Sequence, residues 1–406
     1  MYIRRHLEEA IRRVERMFPA VMISGPRQVG KTTLLNEVKH DIAHVTLDDP
    51  IMLRNALEEA GTFFKRTPPP VVVDEIQYAP NLFPYIKMIA DREGQKGQFF
   101  LTGSQQFQMM KNVSESLAGR ISILNLLGLS LREIHSVDFT APFLPTSDYF
   151  GKRARHLEEI SYKDVWRTIH RGSMPAMYAG DMDWQMFYSG YTRTYIERDV
   201  RELAQIGDEM KFMAFMTAVA SRTGQMLNCT SISRDVGVSQ PTVERWISIL
   251  RASNTIYLLQ PYFNNVTKRI VKSPKMYFLD TGLAAYLTRW NTPDVLENGA
   301  MAGAFFETFV IAEIVKSYYN AGISEPPIYY YRDKDGREID LLIMQNGILY
   351  PVEIKKSANP DTSDIGAFSV LDTLGEVKRG TGGVICLYDD LATLKGEDMI
   401  IPMNLI

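Results

Sequence analysis

Residues Gly25-Pro26-Arg27-Gln28-Val29-Gly30-Lys31-Thr32 spell G-x-x-x-x-G-K-T between two segments of different character. Before them, the apolar run Ala20-Val21-Met22-Ile23 reads as a buried parallel strand. After them, Thr33-Leu34-Leu35-Asn36-Glu37-Val38 reads as a helix. A strand, a glycine-bearing loop and a helix in this order make a phosphate-binding loop. The glycines let the backbone curl until successive N–H groups point at one anion. The helix N-terminus adds partial positive charge at the same place. Lys31 reaches the β- and γ-phosphates of a nucleotide, and the Thr32 hydroxyl is suited to Mg²⁺. The expected binding run extends from Gly25 through Thr33.

Five strand-like runs occupy the first 130 residues or so: Ala20–Ile23, His44–Leu47, Val71–Asp74, Phe99–Thr102 and Ser122–Leu126. Helical or loop segments separate them, which predicts an α/β doubly wound parallel sheet. Val71-Val72-Val73-Asp74-Glu75 ends an apolar strand in two carboxylates, about 40 residues after the loop. This is a Walker B pattern. Asp74 holds Mg²⁺ directly or through water, and Glu75 orients or deprotonates the attacking water. Phe99–Thr102 runs on into Gly103-Ser104, so Ser104 or Thr102 is placed to sense a γ-phosphate. Charge on the transferring phosphoryl group calls for an arginine. Arg120, in Ser116-Leu117-Ala118-Gly119-Arg120, is one candidate; Arg198, in Tyr195-Ile196-Glu197-Arg198-Asp199, is the other. Either serves equally well as half of a structural ion pair.

The rest of the chain divides by composition. An N-terminal amphipathic helix is expected from the spacing of Ile3, Leu7, Ile11 and Val14, within a first domain of residues 1–135. Residues 136–210 read as a connector and helical region. Residues 211–290 read as a winged helix-turn-helix: a short helix Ser231–Val236, a turn at Gly237, an N-cap at Ser239 and a second helix carrying Val243, Trp246, Ile247 and Leu250. Strand-like Thr255–Leu259 and Lys275–Leu279 flank a wing bearing Lys268, Arg269, Lys272 and Lys275. Net charge is −3, so any nucleic-acid binding must come from local patches such as this one. The cysteines Cys229 and Cys386 make neither a disulfide framework nor a zinc spacing, which fits a reducing, cytoplasmic home. No run approaches the ~18 apolar residues of a membrane span, so no membrane partner is expected.

Residues 295–406 read as one helix with several strands. Asn346-Gly347 is a hairpin turn signal joining Gly336–Ile343 to Ile348–Lys355. Residues two apart on a strand share a face, so Asp340, Glu353 and Lys355 can converge at one end of that hairpin. Two carboxylates suit a hard divalent metal, with the lysine steadying a developing phosphorane or orienting water. Glu307 lies in the apolar stripe of a helix, where a lone carboxylate is costly. It needs a metal, a lysine or an arginine, and a salt bridge to Lys355 satisfies it as well as a metal does. The pattern D-x₁₂-E-x-K with an upstream Glu resembles the PD-(D/E)xK nuclease superfamily. The glutamine and tyrosine that follow E-x-K in RecB-type nucleases have no counterpart after Lys355.

Taken in series, Ser24–Thr33, Asp74-Glu75-Ile76-Gln77, Leu101–Ser104, Ser116–Arg120, Tyr195–Asp199, Phe278-Leu279-Asp280-Thr281-Gly282-Leu283 and the Glu338–Lys356 hairpin resemble bacterial and archaeal AAA-type ATPases with a C-terminal domain of unknown function. The resemblance covers nearly the whole chain. It implies an ATP- and Mg²⁺-dependent ATPase core, a winged-helix middle and an α+β, restriction-endonuclease-like end. Two functional classes follow. One is an ATP-driven enzyme acting on DNA; the other is a regulatory ATPase switch whose middle and C-terminal parts are protein or DNA interaction surfaces.

Overall fold

The computed structural model describes residues 2–103, 117–156, 160–195, 209–263, 273–375 and 377–406. Strands β1 (Ala20–Ser24), β2 (Ala43–Thr46), β3 (Val71–Asp74), β4 (Phe99–Gly103) and β5 (Ile121–Asn125) form one sheet in the order β2-β3-β4-β1-β5, every pair parallel. This is the expected α/β sheet, with the expected strands shifted by no more than a residue or two. Both faces are covered, as continuous apolar runs require. Val21 and Ile23 of β1 enter one core with Val72 and Phe100, while Ala20 and Met22 enter a second with Val71, Val73 and Leu101. The expected amphipathic helix is α1 (Leu7–Val14), which buries Leu7, Ala10, Ile11 and Val14 against the first of these cores.

Helices Tyr162–Arg171 and Trp184–Tyr195 follow, then Glu209–Ala220, Cys229–Val236 and Gln240–Ala252. The turn between the last two uses Gly237 at φ +70°, and the Ser239 side chain accepts from Thr242 N–H as expected of an N-cap. The preceding helix starts at Cys229, not Ser231. Asn228 caps it by accepting from Ser231 N–H at 2.9 Å, a cap the sequence reading missed. Strands β6 (Gln225–Met226), β7 (Ile256–Leu259) and β8 (Lys275–Phe278) form an antiparallel sheet with β8 in the middle. Most of the expected wing, with Lys268, Arg269 and Lys272, lies outside the described residues.

The C-terminal part packs the long helix Ala302–Asn320 against a mixed sheet. Its strands are β9 (Ile328–Arg332), β10 (Glu338–Gln345), β11 (Ile348–Ile354), β12 (Lys378–Arg379), β13 (Gly383–Cys386), β14 (Ala392–Lys395) and β15 (Asp398–Pro402). The order is β14-β15-β13-β11-β10-β9, with β12 on β11. Asn346 and Gly347 have φ of +51° and +75°, so the β10–β11 hairpin closes through the two-residue turn its sequence specifies. Packing does not respect the sequence-based boundaries. One apolar core runs from Leu7 through Trp166, Phe215 and Trp246 to Ile311 and Ile406.

Candidate active site

The phosphate loop leaves β1 at Ser24, where its conformation depends on two glycines. A Cβ on Gly25 would lie 2.0 Å from the Leu126 carbonyl oxygen, in a stretch whose Leu126 N–H donates to Ser24 O at 2.8 Å. Only glycine allows the two strands' ends to approach this closely. Gly30 is the N-cap of helix α2 (Lys31–Val38) in the left-handed region at φ +90°. Lys31 Nζ donates to the carbonyl oxygens of Gly25 at 3.0 Å and Pro26 at 2.8 Å, drawing the loop around its own cation.

Asp74 and Glu75 arrive on the neighbouring strand end. The Thr32 hydroxyl donates to Asp74 Oδ1 at 2.8 Å. Thr102, wholly buried, also donates to Asp74 Oδ1, and its oxygen accepts from Glu75 N–H at 3.1 Å. Its hydroxyl is thus engaged in holding the two acids rather than pointed at a phosphate. Glu75 sits at φ +57°, an uncommon conformation for a residue with a Cβ, and Gln77 Nε2 donates to its carboxylate. Strain of this kind collects at working sites because surrounding bonds hold it in place. A hydroxyl and a carboxylate oxygen side by side are the hard donors Mg²⁺ takes, so Thr32 and Asp74 fit that ion.

These residues open on a cleft of about 610 Å³ lined by Arg27, Gln28, Gly30, Lys31, Thr32, Thr33, Glu75 and Thr194. Pro26 and Val29 do not line it; their carbonyl oxygens accept from Lys31 and Arg5. Thr194 is the surprise. It lies near the end of helix Trp184–Tyr195, outside the parallel sheet, and brings the helical region to the cleft. The sequence reading reached the adjoining Tyr195–Asp199 but not Thr194. Ser104 and Arg198 lie outside the described residues.

Arg120 does not join this cleft. Its carbonyl accepts from Ala20 N–H at 3.1 Å, which sets it level with the first residue of β1, while the phosphate loop begins after the last. In a parallel sheet those are opposite ends. Its guanidinium instead forks onto Asp91, with Nη2 to Oδ2 at 3.1 Å. The expectation that Arg120 completes the site is therefore corrected within one chain: it is an exposed ion pair at the far edge.

In the C-terminal part, Glu307, Asp340, Glu353 and Lys355 do come together, with a second lysine, Lys275, against Glu307 and Asp340. Lys275 Nζ lies 2.6 Å from Glu338, 3.3 Å from Glu307 and 3.5 Å from Asp340. Lys355 Nζ lies 2.9 Å from Glu353 and 3.9 Å from Asp340. Tyr277 OH donates to Glu307 at 2.6 Å, and Ile354 N–H to Asp340 Oδ2 at 3.0 Å. A one-residue bulge in β10 between Ile339 and Leu342 re-aims Asp340. Burial and the Asp340 charge push the Glu353 carboxyl up to about 9, and the same two causes raise Glu307. Burial alone would lower Lys275, yet Glu307, Asp340 and Glu338 together hold it above its ordinary value. Glu307 thus finds its cation, but the partner is Lys275 rather than Lys355. Lys275 itself, read from sequence as part of a basic wing, is 6% exposed. Among the described residues no group of three or more His, Cys, Asp and Glu side chains is arranged to hold a metal ion. At Glu307 and Asp340, two of the expected metal donors, the Lys275 ammonium stands instead.

Residues 17–135 match the family model of an AAA domain. The parallel sheet with its phosphate loop is accordingly an AAA-type ATPase domain. Residues 162–294 and 302–406 match two domains of unknown function, DUF8612 and DUF4143 respectively. Uncharacterized proteins of Mycobacterium bovis and Mycobacterium tuberculosis are each 28% identical over 373 residues, covering 89% of this chain and 75% of theirs. Among solved structures, a Walker-type ATPase of Pyrococcus abyssi is 13% identical with a TM-score of 0.43, over 71% of this chain and 96% of that one. AMPPCP-bound DnaA from Aquifex aeolicus is 12% identical with a TM-score of 0.30, over 60% of this chain and 85% of that one.

Behind the phosphate loop runs a buried charged network that sequence reasoning missed. Arg5 is 3% exposed and donates to Val29 O at 2.8 Å and Leu127 O at 2.8 Å. Its Nε meets Glu133 at 3.1 Å. Glu133 closes a capping box with Ser130 on the short helix Leu131–Ile134, whose Leu131 N–H donates to Glu313 at 2.7 Å. Glu313 pairs with Lys316, and Lys316 donates to Leu129 O at 3.0 Å. The S-x-x-E signature at Ser130–Glu133 was visible in the sequence; the identity of its long-range partners was not.

No helix among the described residues is long and apolar enough to cross a membrane. On the helix Gln240–Ala252 the solvent face carries Arg245 and Arg251 together with Glu244.

Proposed function

We propose that the chain binds ATP in the cleft beside α2, hydrolyses it, and works as a regulatory switch whose helical and C-terminal parts respond to the state of that cleft. The hydroxyl of Thr32 meeting the carboxylate of Asp74 at 2.8 Å, beside a lysine coiled into its own loop, carries the reading. Backbone N–H groups of the Gly25–Thr32 loop receive the phosphates, and the α2 N-terminus adds its dipole. Lys31 exchanges the Gly25 and Pro26 carbonyls for phosphate oxygens. Thr32 and Asp74 would hold Mg²⁺, which would supply charge neutralisation for the phosphate oxygens. Glu75, oriented by Gln77 and anchored through Thr102, takes the proton of the attacking water. Because Thr194 lines the same cleft, an occupied site touches a helix outside the sheet, which supports the switch reading.

The experiment is a phosphate-release assay on the full chain with ATP and Mg²⁺. Lys31→Ala should abolish turnover, and so should EDTA. Full turnover in Lys31→Ala would place hydrolysis elsewhere.

A further inference from the structure

We infer that Lys275 is the built-in cation of the C-terminal carboxylate cluster, and that this cluster is closed by lysine charge across a domain join rather than by a divalent metal. The ammonium offers three N–H donors and nothing else. Glu338, Glu307 and Asp340 lie 2.6, 3.3 and 3.5 Å from it, so three carboxyls share one ammonium. A hard divalent ion held by Glu307 and Asp340 would need oxygens that this ammonium already engages. The ammonium and the metal therefore compete for one place, and like charges exclude each other from it.

The lysine is not a side chain that happens to lean in. Its backbone belongs to β8, which is paired on both edges, with Leu259 on one side and Met226 on the other. Its ammonium lies 5.8 Å from the centre of the Tyr330 ring, whose hydroxyl donates to Ser273 O at 2.6 Å. The join between the two sheets is itself made by main chain: Tyr330 N–H donates to Gln260 O at 3.0 Å, and Tyr262 N–H to Tyr330 O at 2.7 Å. Pairing on both edges of β8 fixes the backbone from which Lys275 reaches the acids. The remaining faces of the acids are also occupied, by Tyr277 on Glu307, by Ile354 N–H and Lys355 on Asp340, by Lys355 on Glu353 and by Arg332 at 3.6 Å on Glu338. A buried carboxylate left ionised without a cation is costly, and the Lys275 ammonium on β8 supplies one to Glu307 and Asp340. The inference does not depend on ATP hydrolysis, since its site and its test are separate from the phosphate loop.

The test uses Mn²⁺ alone, without nucleotide, on the full chain. Mn²⁺ binding followed by electron paramagnetic resonance should give the same isotherm for the wild type and for Asp340→Asn, because the cluster takes no metal. Lys275→Met should melt at a lower temperature in EDTA, and Mn²⁺ should raise that temperature by opening a new site. Adding Asp340→Asn to Lys275→Met should remove the gain. A wild-type Mn²⁺ site that Asp340→Asn abolishes overturns the inference, as does a folded Lys275→Met chain that gains no Mn²⁺ response. Should Lys275→Met fail to fold, the wild-type and Asp340→Asn isotherms decide: equality upholds the lysine, and a difference overturns it.

Discussion

Arg5 Nη1 donates to the carbonyl oxygen of Val29 at 2.8 Å, so the middle of the phosphate loop hangs from a side chain that precedes the first helix. The same guanidinium holds Glu133, and both groups are buried. A buried pair of this kind is expensive to break because the survivor keeps its charge without a partner.

Arg5→Met is accordingly expected to lower stability by about 3–5 kcal/mol. Denaturant unfolding measures this, and nucleotide affinity should fall in parallel as Val29 loses its tether. Arg5→Lys keeps the charge but loses the fork that spans Glu133, Val29 and Leu127, and should fall between the two. An Arg5→Met midpoint equal to that of the wild type would show the network to be idle.

Glu75→Gln should leave ATP binding intact while turnover drops by roughly 10²–10⁴-fold, the range over which a positioned general base contributes. Isothermal titration against single-turnover rates separates the two. A comparable loss of affinity would instead assign Glu75 to binding.

Arg120→Ala should leave turnover per chain unchanged when the protein is dilute, since Arg120 sits at the opposite sheet end from Lys31 and pairs with Asp91. Measuring rate against protein concentration checks this. A loss of rate in the variant that appears only as concentration rises would mean that Arg120 acts on another copy's site.

His6 supplies a pH dependence. Burial holds its imidazole below the ordinary 6.5, and Nε2 lies 2.8 Å from Val137 O, which fixes the Nε2–H tautomer. Unfolded His6 takes up its proton near 6.5, whereas folded His6 waits for a lower pH. Between the two values the unfolded chain binds more protons, so this contribution is complete above 6.5 and is lost as pH falls through that window. Thermal melts on either side of 6.5 should show the decline, and His6→Gln should flatten it. A nuclear magnetic resonance titration placing the folded His6 at or above 6.5 would contradict the assignment.

Much of the nucleotide cleft was readable without coordinates. Gly25, Gly30, Lys31 and Thr32 are constrained by chain geometry over a few residues, and Asp74-Glu75 by the end of an apolar strand. Both signals are local, and the structure assembles them as written. Thr102 and Gln77 were harder, because their work is to hold other side chains, which leaves no pattern in the sequence. Thr194 and Arg5 were beyond reach, since nothing near them in the chain marks what they approach in space.

Apolar runs, caps and turn residues determined the local elements: the buried strand β1, the Ser239 cap, the Asn346-Gly347 turn. Those preferences act through neighbouring backbone and survive in any context that keeps the segment. Which charges meet was decided only by the tertiary structure. Lys275 looks like a wing residue beside Lys272, yet β8 carries it into a group of carboxyls drawn from a helix and one strand. Burial multiplies the strength of such encounters and the cost of missing them, and burial belongs to the folded chain alone.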